Sequence, residues 1–113
     1  MAWYVYMLHC APDSLYTGST PDIEHRLRQH LSLVAGGAKY TRSHPPVALA
    51  ALWELPDAHA ARSMEWHIKR LTRAEMQQII AAPDALSPLL GTCGEAAQPV
   101  VTAEYASYFA DLS

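Results

Sequence analysis

The chain has 113 residues, 50% of them hydrophobic and 17% charged, which suits one globular domain and leaves no room for a second. No apolar stretch approaches the roughly 18 residues of a membrane span, and the N-terminus lacks the cationic start of a secretory signal, so we expect a cytoplasmic protein. Cys10 and Cys93 have neither a CxxC nor a zinc-ligand spacing, which favours buried, reduced thiols.

The net charge of -3 argues at first against a nucleic-acid partner, because phosphate binding usually leaves a basic footprint. The distribution of the charges weakens that argument. All eight Lys and Arg residues and all six histidines lie before residue 74, whereas the acidic C-terminal part has no basic residue. Charge therefore permits a nucleic-acid partner without identifying one.

The N-terminal part of the sequence predicts a β-hairpin followed by a helix. Residues 3–10 are aromatic and β-favouring, residues 12–14 supply turn chemistry, and residues 15–18 form the returning strand. Thr20 offers a helix N-cap with a proline directly after it, and apolar residues then recur every four positions. We therefore expect a helix over about residues 21–33.

One more strand and two helices are predicted beyond the hairpin and its helix. Residues 35–46 have no apolar periodicity and are bounded by glycine and proline, which is typical of an exposed loop. Residues 47–55 form an apolar run of strand length. From Ala58 onward the apolar residues repeat at helical spacing, and Thr72 with Glu75 matches a capping box that starts another helix.

These elements predict an α+β fold with a small three-stranded antiparallel sheet flanked by helices, a ββαβαα core. We assign that core to residues 1–82 and a C-terminal extension to residues 83–113. The extension shows no catalytic motif, but Tyr105, Tyr108 and Phe109 can form one face of a short helix that rests on the core.

The order of the tyrosine, arginine and glutamate residues is the most informative pattern in the sequence. Residues 4–6 (Tyr-Val-Tyr) lie on the first predicted strand and residues 16–18 (Tyr-Thr-Gly) on the second. Arg26 and His30 follow on the first predicted helix, and Glu65 lies on a later one. In this order the sequence resembles the GIY-YIG nuclease superfamily.

The resemblance covers roughly residues 3–80. Within this range, residues 37–43 and 68–71 are similar to the corresponding stretches of small stand-alone bacterial GIY-YIG proteins. It implies a metal-dependent endonuclease that hydrolyses DNA phosphodiester bonds, is structure-selective and is linked to DNA repair or recombination. It also implies one divalent ion, Mg²⁺ or Mn²⁺, as cofactor. The expected partner is nucleic acid, with DNA preferred, and a protein partner could supply targeting.

The resemblance further implies a role for each residue of the pattern. Phosphodiester hydrolysis needs a deprotonated water, neutralisation of the phosphoryl oxygens and stabilisation of the leaving oxygen. By analogy, the Tyr6 and Tyr16 hydroxyls flank the attacking water and Arg26 faces the scissile phosphate. His30 takes up a proton, and the Glu65 carboxylate holds the metal ion.

Five other residues are assigned to binding or structure. Lys39, Tyr40 and Arg42 combine cations with an aromatic ring on the predicted loop, a combination that can grip a nucleic-acid strand. Lys69 is a further candidate for nucleic-acid binding. Gly18 is expected to be structural, by permitting a close approach of backbone or substrate behind the second tyrosine.

Each assignment also has a structural alternative. Tyrosines often pack within sheets, and Arg26 alone reads as a solvated helix residue. Glu65 can form an ion pair with Lys69 four residues later, and the loop cations can simply be solvated. Gly18 can be explained by a turn or bulge.

Two other functions stay open. Ser19 stands where GIY-YIG proteins often have a lysine, and the chain contains no asparagine for their frequent C-terminal active-site asparagine. Both departures favour a nucleic-acid-binding module that cuts slowly or not at all. The third possibility is a protein-interaction adaptor that uses the acidic, aromatic C-terminal part as its contact surface.

Overall fold

The apolar residues of the strands and the apolar stripes of the helices produce two helical layers on an antiparallel sheet in the computed structural model. The structure describes residues 2–31 and 44–112, with side chains up to residue 109. The helices and strands follow in chain order: β1 Trp3–Cys10, β2 Ser14–Thr20, α1 Ile23–Leu31, β3 Pro46–Leu55, α2 Ala58–Lys69, α3 Arg73–Ala81, α4 Ser87–Leu90 and β4 Gln98–Pro99. Two 3₁₀ helices cover Gly91–Gly94 and Thr102–Leu112.

The described part of the chain has a four-stranded antiparallel sheet in the order β2-β1-β3-β4. The α+β class is confirmed, but the predicted three strands are one too few. β4 pairs with Trp53 and Glu54 of β3. The sequence gives no signal for β4, because two exposed residues that include a proline show neither alternation nor an apolar run.

The first helix begins at Ile23 rather than at residue 21, and its N-cap is Asp22 rather than Thr20. The Asp22 carboxylate accepts a hydrogen bond from the His25 backbone N–H at 3.1 Å. The Thr20 hydroxyl instead donates to the Asp22 carbonyl oxygen and accepts from its N–H, at 3.1 Å each. Both residue types are good N-caps, so the sequence pattern alone does not decide which of the two caps the helix. The predicted end near residue 33 lies outside the described residues.

The other predicted elements are confirmed within a residue or two. β3 starts at Pro46, one residue before the predicted run. α2 starts at Ala58, where the Asp57 side chain accepts from the Ala60 N–H at 2.8 Å. The capping box of Thr72 and Glu75 opens α3 with both of its hydrogen bonds present. Most of the predicted loop, residues 35–43, lies outside the described part of the chain.

Apolar side chains on both faces of the sheet create two cores. On one face, Val5 and Met7 of β1 are fully buried against α2. On the opposite face, Tyr6 and Leu8 pack with Leu27 of α1. Since neighbouring residues of a strand point to opposite faces, β1 contributes to both cores and fixes where α1 and α2 lie.

The C-terminal segment contacts the same sheet. The buried Trp53 indole Nε1 donates a hydrogen bond to the Pro83 carbonyl oxygen at 2.8 Å. Tyr105, Tyr108 and Phe109 lie in the last 3₁₀ helix and pack against the core on the α1 side. The division at residue 82 stays a prediction.

The two cysteines differ in their exposure to solvent. Cys10 is buried, Cys93 is partly exposed, and both are free thiols. Burial raises the pKa of Cys10 to about 11 and also raises that of Cys93, so neither is a ready nucleophile at neutral pH.

Among the helices of residues 2–31 and 44–112, none has the length and apolar character needed to cross a bilayer.

Replacing Trp53 by Phe is expected to destabilise the fold through its C-terminal segment. The phenyl ring keeps most of the apolar contact but leaves the Pro83 carbonyl without its indole donor, at a cost of about 1–3 kcal/mol. The measurement is the free energy of unfolding in urea. Trp66→Phe is the matched control, because Trp66 is 55% exposed, and it should change that free energy by less than about 0.5 kcal/mol.

Candidate active site

The two predicted tyrosines lie on one face of the hairpin. Tyr6 pairs with Gly18 and Leu8 with Tyr16, so the side chains of Tyr6 and Tyr16 point to the α1 side of the sheet. Their ring centroids are 6.2 Å apart. The two rings therefore share one face of the sheet.

Gly18 is required by the ring of Tyr6 rather than by the space behind Tyr16. A Cβ added at Gly18 would lie 2.6 Å from Cζ and 3.1 Å from Cε1 of Tyr6. Real Cβ atoms do not approach other atoms this closely, so the phenol occupies the space that a side chain at Gly18 would take. Because Gly18 has no side chain, the Tyr6 ring can pack directly against β2.

Arg26 and His30 of α1 bracket the Tyr6 hydroxyl. The oxygen lies 2.7 Å from His30 Nε2, and the Arg26 Nε–H donates to it at 3.3 Å. Because Arg26 can only donate, the Tyr6 oxygen accepts from it. In the tautomer of neutral His30 that leaves Nε2 unprotonated, the Tyr6 hydroxyl donates to Nε2, and the three side chains form one hydrogen-bonded chain.

The electrostatic environment keeps this chain neutral at Tyr6 and His30. Burial lowers the pKa of His30 to about 4, and the positive charge of Arg26 acts in the same direction. Burial also raises the pKa of Tyr6 well above its ordinary value, and the nearby Tyr16 and Glu65 add to this effect. At neutral pH the phenol carries the proton and His30 can accept it.

Tyr16 completes the cluster on the α1 side. Its ring centroid is 5.2 Å from that of His30, in an edge-on arrangement. Burial alone lowers the pKa of Arg26, but hydrogen bonds to Tyr6 and Tyr16 outweigh burial and raise it. Arg26 Nη1 also donates to Gln29 Oε1 at 3.0 Å, a contact that the sequence did not suggest. The guanidinium is thus held beside two phenols.

Glu65 lies on the other side of the edge strand β2. It belongs to α2, and one carboxylate oxygen accepts a hydrogen bond from the Ser19 hydroxyl. Ser19 pairs with Val5, so its side chain points to the α2 face, opposite to that of Tyr6. The structure therefore groups four of the five predicted residues, and Glu65 approaches them around the sheet edge. Its charge still reaches Tyr6, whose pKa it helps to raise.

The chain is similar to a known catalytic domain over most of its length. Residues 2–78 match the GIY-YIG catalytic domain, which is more than half of the chain. The chain belongs to the GIY-YIG family. A GIY-YIG catalytic domain implies nuclease-type activity and nucleic-acid binding, so the resemblance seen in the sequence is confirmed.

This chain covers most of the length of individual GIY-YIG relatives. It is 40% identical over 81 residues to UPF0213 protein BH0048 of Halalkalibacterium halodurans, covering 72% of this chain and 84% of the relative. It is 39% identical over 87 residues to UPF0213 protein H16_B0156 of Cupriavidus necator, covering 77% and 92%. The solution NMR structure of UPF0213 protein BH0048 aligns with a TM-score of 0.49 and 36% identity, covering 84% of this chain and 97% of that one.

Lys69 of this GIY-YIG domain forms an ion pair with Glu65, so its charge is already partly neutralised by that carboxylate. Its Nζ lies 2.7 Å from Glu65 Oε2, so the ion pair considered as an alternative from the sequence is present. The other residues predicted to bind nucleic acid lie outside the described residues; they are Lys39, Tyr40 and Arg42.

The donor atoms at Glu65 suit a hard divalent ion. Within the described ranges, no group of three or more His, Cys, Asp or Glu side chains converges, so an all-protein metal cage is not formed there. Mg²⁺ commonly keeps several waters and binds through one or two carboxylates, which a single glutamate can satisfy. The Glu65 side chain is 21% exposed and the Ser19 hydroxyl oxygen lies beside it, while Lys69 competes for Oε2.

Ser19 is the residue whose contribution the sequence missed. It appeared only as a departure from the usual lysine, yet its hydroxyl orients the Glu65 carboxylate. Recognising this contact requires knowing that Ser19 and α2 share a sheet face, and that depends on strand pairing.

The Gly18→Ala variant is expected to displace the Tyr6 phenol. The ring is 1% exposed and the added methyl group would overlap it, so the substitution should destabilise the fold by about 1–3 kcal/mol and move the Tyr6 hydroxyl away from His30. Urea unfolding measures the first effect, and the nitrogen chemical shifts of the His30 ring measure the second. Ser19→Ala alters the next residue on the opposite face and should leave the His30 signals unchanged.

Folding stability should depend on pH through His30. The folded pKa is about 4 and the ordinary value is 6.5, so between these values the unfolded chain binds more protons than the native protein. The contribution of His30 is complete above about pH 6.5 and is lost as the pH falls towards 4. Unfolding free energies at pH 7, 5.5 and 4.5 should decline less steeply in His30→Gln than in the unaltered protein. Equal slopes would show that His30 is not held neutral.

Proposed function

We propose that this GIY-YIG domain is a divalent-metal-dependent endonuclease that hydrolyses DNA phosphodiester bonds in branched or otherwise irregular DNA during repair or recombination. The observation that supports the proposal is the chain of hydrogen bonds from Arg26 through Tyr6 to His30. It combines a cation that can bind a phosphate with a neutral proton acceptor, within one small cluster.

Proton removal from the attacking water would use Tyr6 and His30 together. A phenol with a raised pKa is a poor base by itself, since its anion is costly to form in a buried place. Tyr6 can pass its proton to His30 Nε2 while it takes one from the water, so that a free phenolate never accumulates. The 2.7 Å separation between these atoms is within the range that such a transfer needs.

Substrate binding would strengthen His30 as the acceptor. In the structure the positive charge of Arg26 lowers the pKa of His30. A phosphodiester bound to the guanidinium adds a negative charge next to that cation and offsets its effect, so the imidazole becomes more basic when substrate is present. The same phosphate competes with Tyr6 for the Arg26 Nε–H and thereby frees the phenol oxygen for water.

Glu65 would hold the divalent ion, with the Ser19 hydroxyl keeping the carboxylate in place. When bound, such an ion supplies positive charge to the phosphoryl and leaving oxygens. Lys69 must release Oε2 for this to occur, and its side chain, which is half exposed, can turn into solvent.

A second candidate function is a binding module that cuts slowly or not at all. Two observations favour it: Tyr6 is almost completely buried, and Lys69 already neutralises Glu65. Such a module would bind nucleic acid in a salt-dependent manner without consuming it.

Cleavage assays on single-stranded, flapped and branched DNA and RNA, with Mg²⁺ or Mn²⁺, test the proposed activity. We expect metal-dependent cutting of at least one irregular DNA, and a loss of about 100-fold or more in Glu65→Gln and Arg26→Lys. Glu24→Gln and Arg28→Lys are matched controls, because they change an exposed ion pair of α1 in the same chemical way. They should retain activity within about twofold.

The outcomes separate the two functions. Salt-dependent binding with every substrate left intact would favour the binding module and reject the nuclease. Full activity of Glu65→Gln would remove the carboxylate from the proposed mechanism.

A further inference from the structure

The exposed face of α2 carries cations and an aromatic ring that the proposed mechanism does not use. Arg62 and Trp66 of α2 are followed at the same four-residue spacing by Arg70, the C-cap of the helix, so the three form one row. All three are exposed to solvent, and Trp66 is 55% exposed. The buried residues of α2, by contrast, point to the sheet.

Both arginines of this row lie against indole rings. The Arg70 guanidinium carbon is 4.6 Å from the ring centroid of Trp66, and that of Arg62 is 5.1 Å from the ring centroid of Trp3. The His67 ring lies edge-on to Trp66, with centroids 4.9 Å apart. These contacts hold a large exposed ring and two cations in defined positions.

The charges of Arg62 and Arg70 remain available to an anion. In the two described segments, the ion pairs on this side join Lys69 to Glu65 and Arg73 to Asp13, and neither Arg62 nor Arg70 takes part in one. Residues 58–73 carry four Lys or Arg side chains and a single carboxylate, in a chain with a net charge of -3. The row is therefore a local positive surface on an acidic protein.

We propose that the row of Arg62, Trp66 and Arg70 binds a single-stranded segment of nucleic acid, with one base stacked on Trp66 and the neighbouring phosphates on the two arginines. The row spans about 12 Å, from eight residues at roughly 1.5 Å each. Stacking on an exposed indole requires an unpaired base, because bases in a duplex already stack on each other. The surface therefore fits a single strand better than a continuous duplex.

The position of the row gives it a function in the same reaction. Trp66 directly follows Glu65 in α2, and Lys69 lies between Glu65 and the row on the helix surface. A strand held by the row continues towards the sheet edge where Glu65 meets Ser19. This use of the surface rests on the proposed nuclease function, whereas the binding itself does not.

Binding of fluorescently labelled 15-nucleotide oligo-dT and oligo-U, measured by anisotropy in EDTA without added metal, tests the proposal separately from cleavage. Trp66→Ala should weaken binding about tenfold or more, and Trp66→Phe, which keeps a ring, should stay within about threefold. Arg70→Ala should weaken binding and reduce the salt dependence by about 0.7 in the slope of log K against log salt. Arg28→Ala removes an arginine on the other side of the sheet and serves as the control.

The results distinguish this surface from the proposed activity. If Trp66→Ala binds both oligonucleotides within twofold of the unaltered protein, the surface is not a binding site, even if the protein cuts DNA. If a 15-base-pair duplex binds as tightly and loses as much with Trp66→Ala, stacking of an unpaired base is excluded. Binding that depends on Trp66, in a protein that cuts nothing, would support the surface and reject the nuclease.

Discussion

The burial of one hydroxyl group organises the candidate site. Tyr6 is 1% exposed, and a buried hydroxyl without partners would cost several kcal/mol. His30 and Arg26 remove that penalty by accepting from it and donating to it. Since both partners lie on α1, this requirement fixes the rotation of the helix as well as its position. The buried Tyr6 ring also requires a residue without a side chain at Gly18, because it occupies the space that a Cβ would take.

The site is divided by the edge strand β2. The Tyr6, Tyr16, Arg26 and His30 cluster lies on the α1 face, and the Glu65 and Ser19 pair lies on the α2 face. In the proposed nuclease, a nucleic-acid strand would lie across the edge of β2 and contact both groups, with the surface row on α2 beside it.

Much of the fold could be predicted because it depends on local patterns. The hairpin, the later helices and the capping box of Thr72 follow from alternation, helical spacing and cap chemistry, which operate within a few residues. β4 could not be predicted, because two exposed residues become a strand only through pairing with β3. The choice of Asp22 over Thr20 as N-cap depends on the end of β2, which is also not a local property.

The site shows the same division between local and tertiary information. Arg26 and His30 are four residues apart on one helix, and Tyr6 and Tyr16 lie on the paired strands of one hairpin, so local spacing accounts for much of this cluster. The positions of Ser19 and Glu65 on the far face depend on which helix covers which side of the sheet, which no spacing in the sequence specifies. Likewise, the reason for Gly18 became clear only from the ring that crosses it.

The edge position of β2 has a mechanical consequence. Among the described strands, β2 is hydrogen-bonded on one side only, to β1, while β1 and β3 are bonded on both. A strand tied along a single ladder can bend or twist at a lower energy than one held between two neighbours. β2 can therefore bend more easily than β1 or β3, and such a bend would move the Ser19 hydroxyl relative to the Glu65 carboxylate that it contacts.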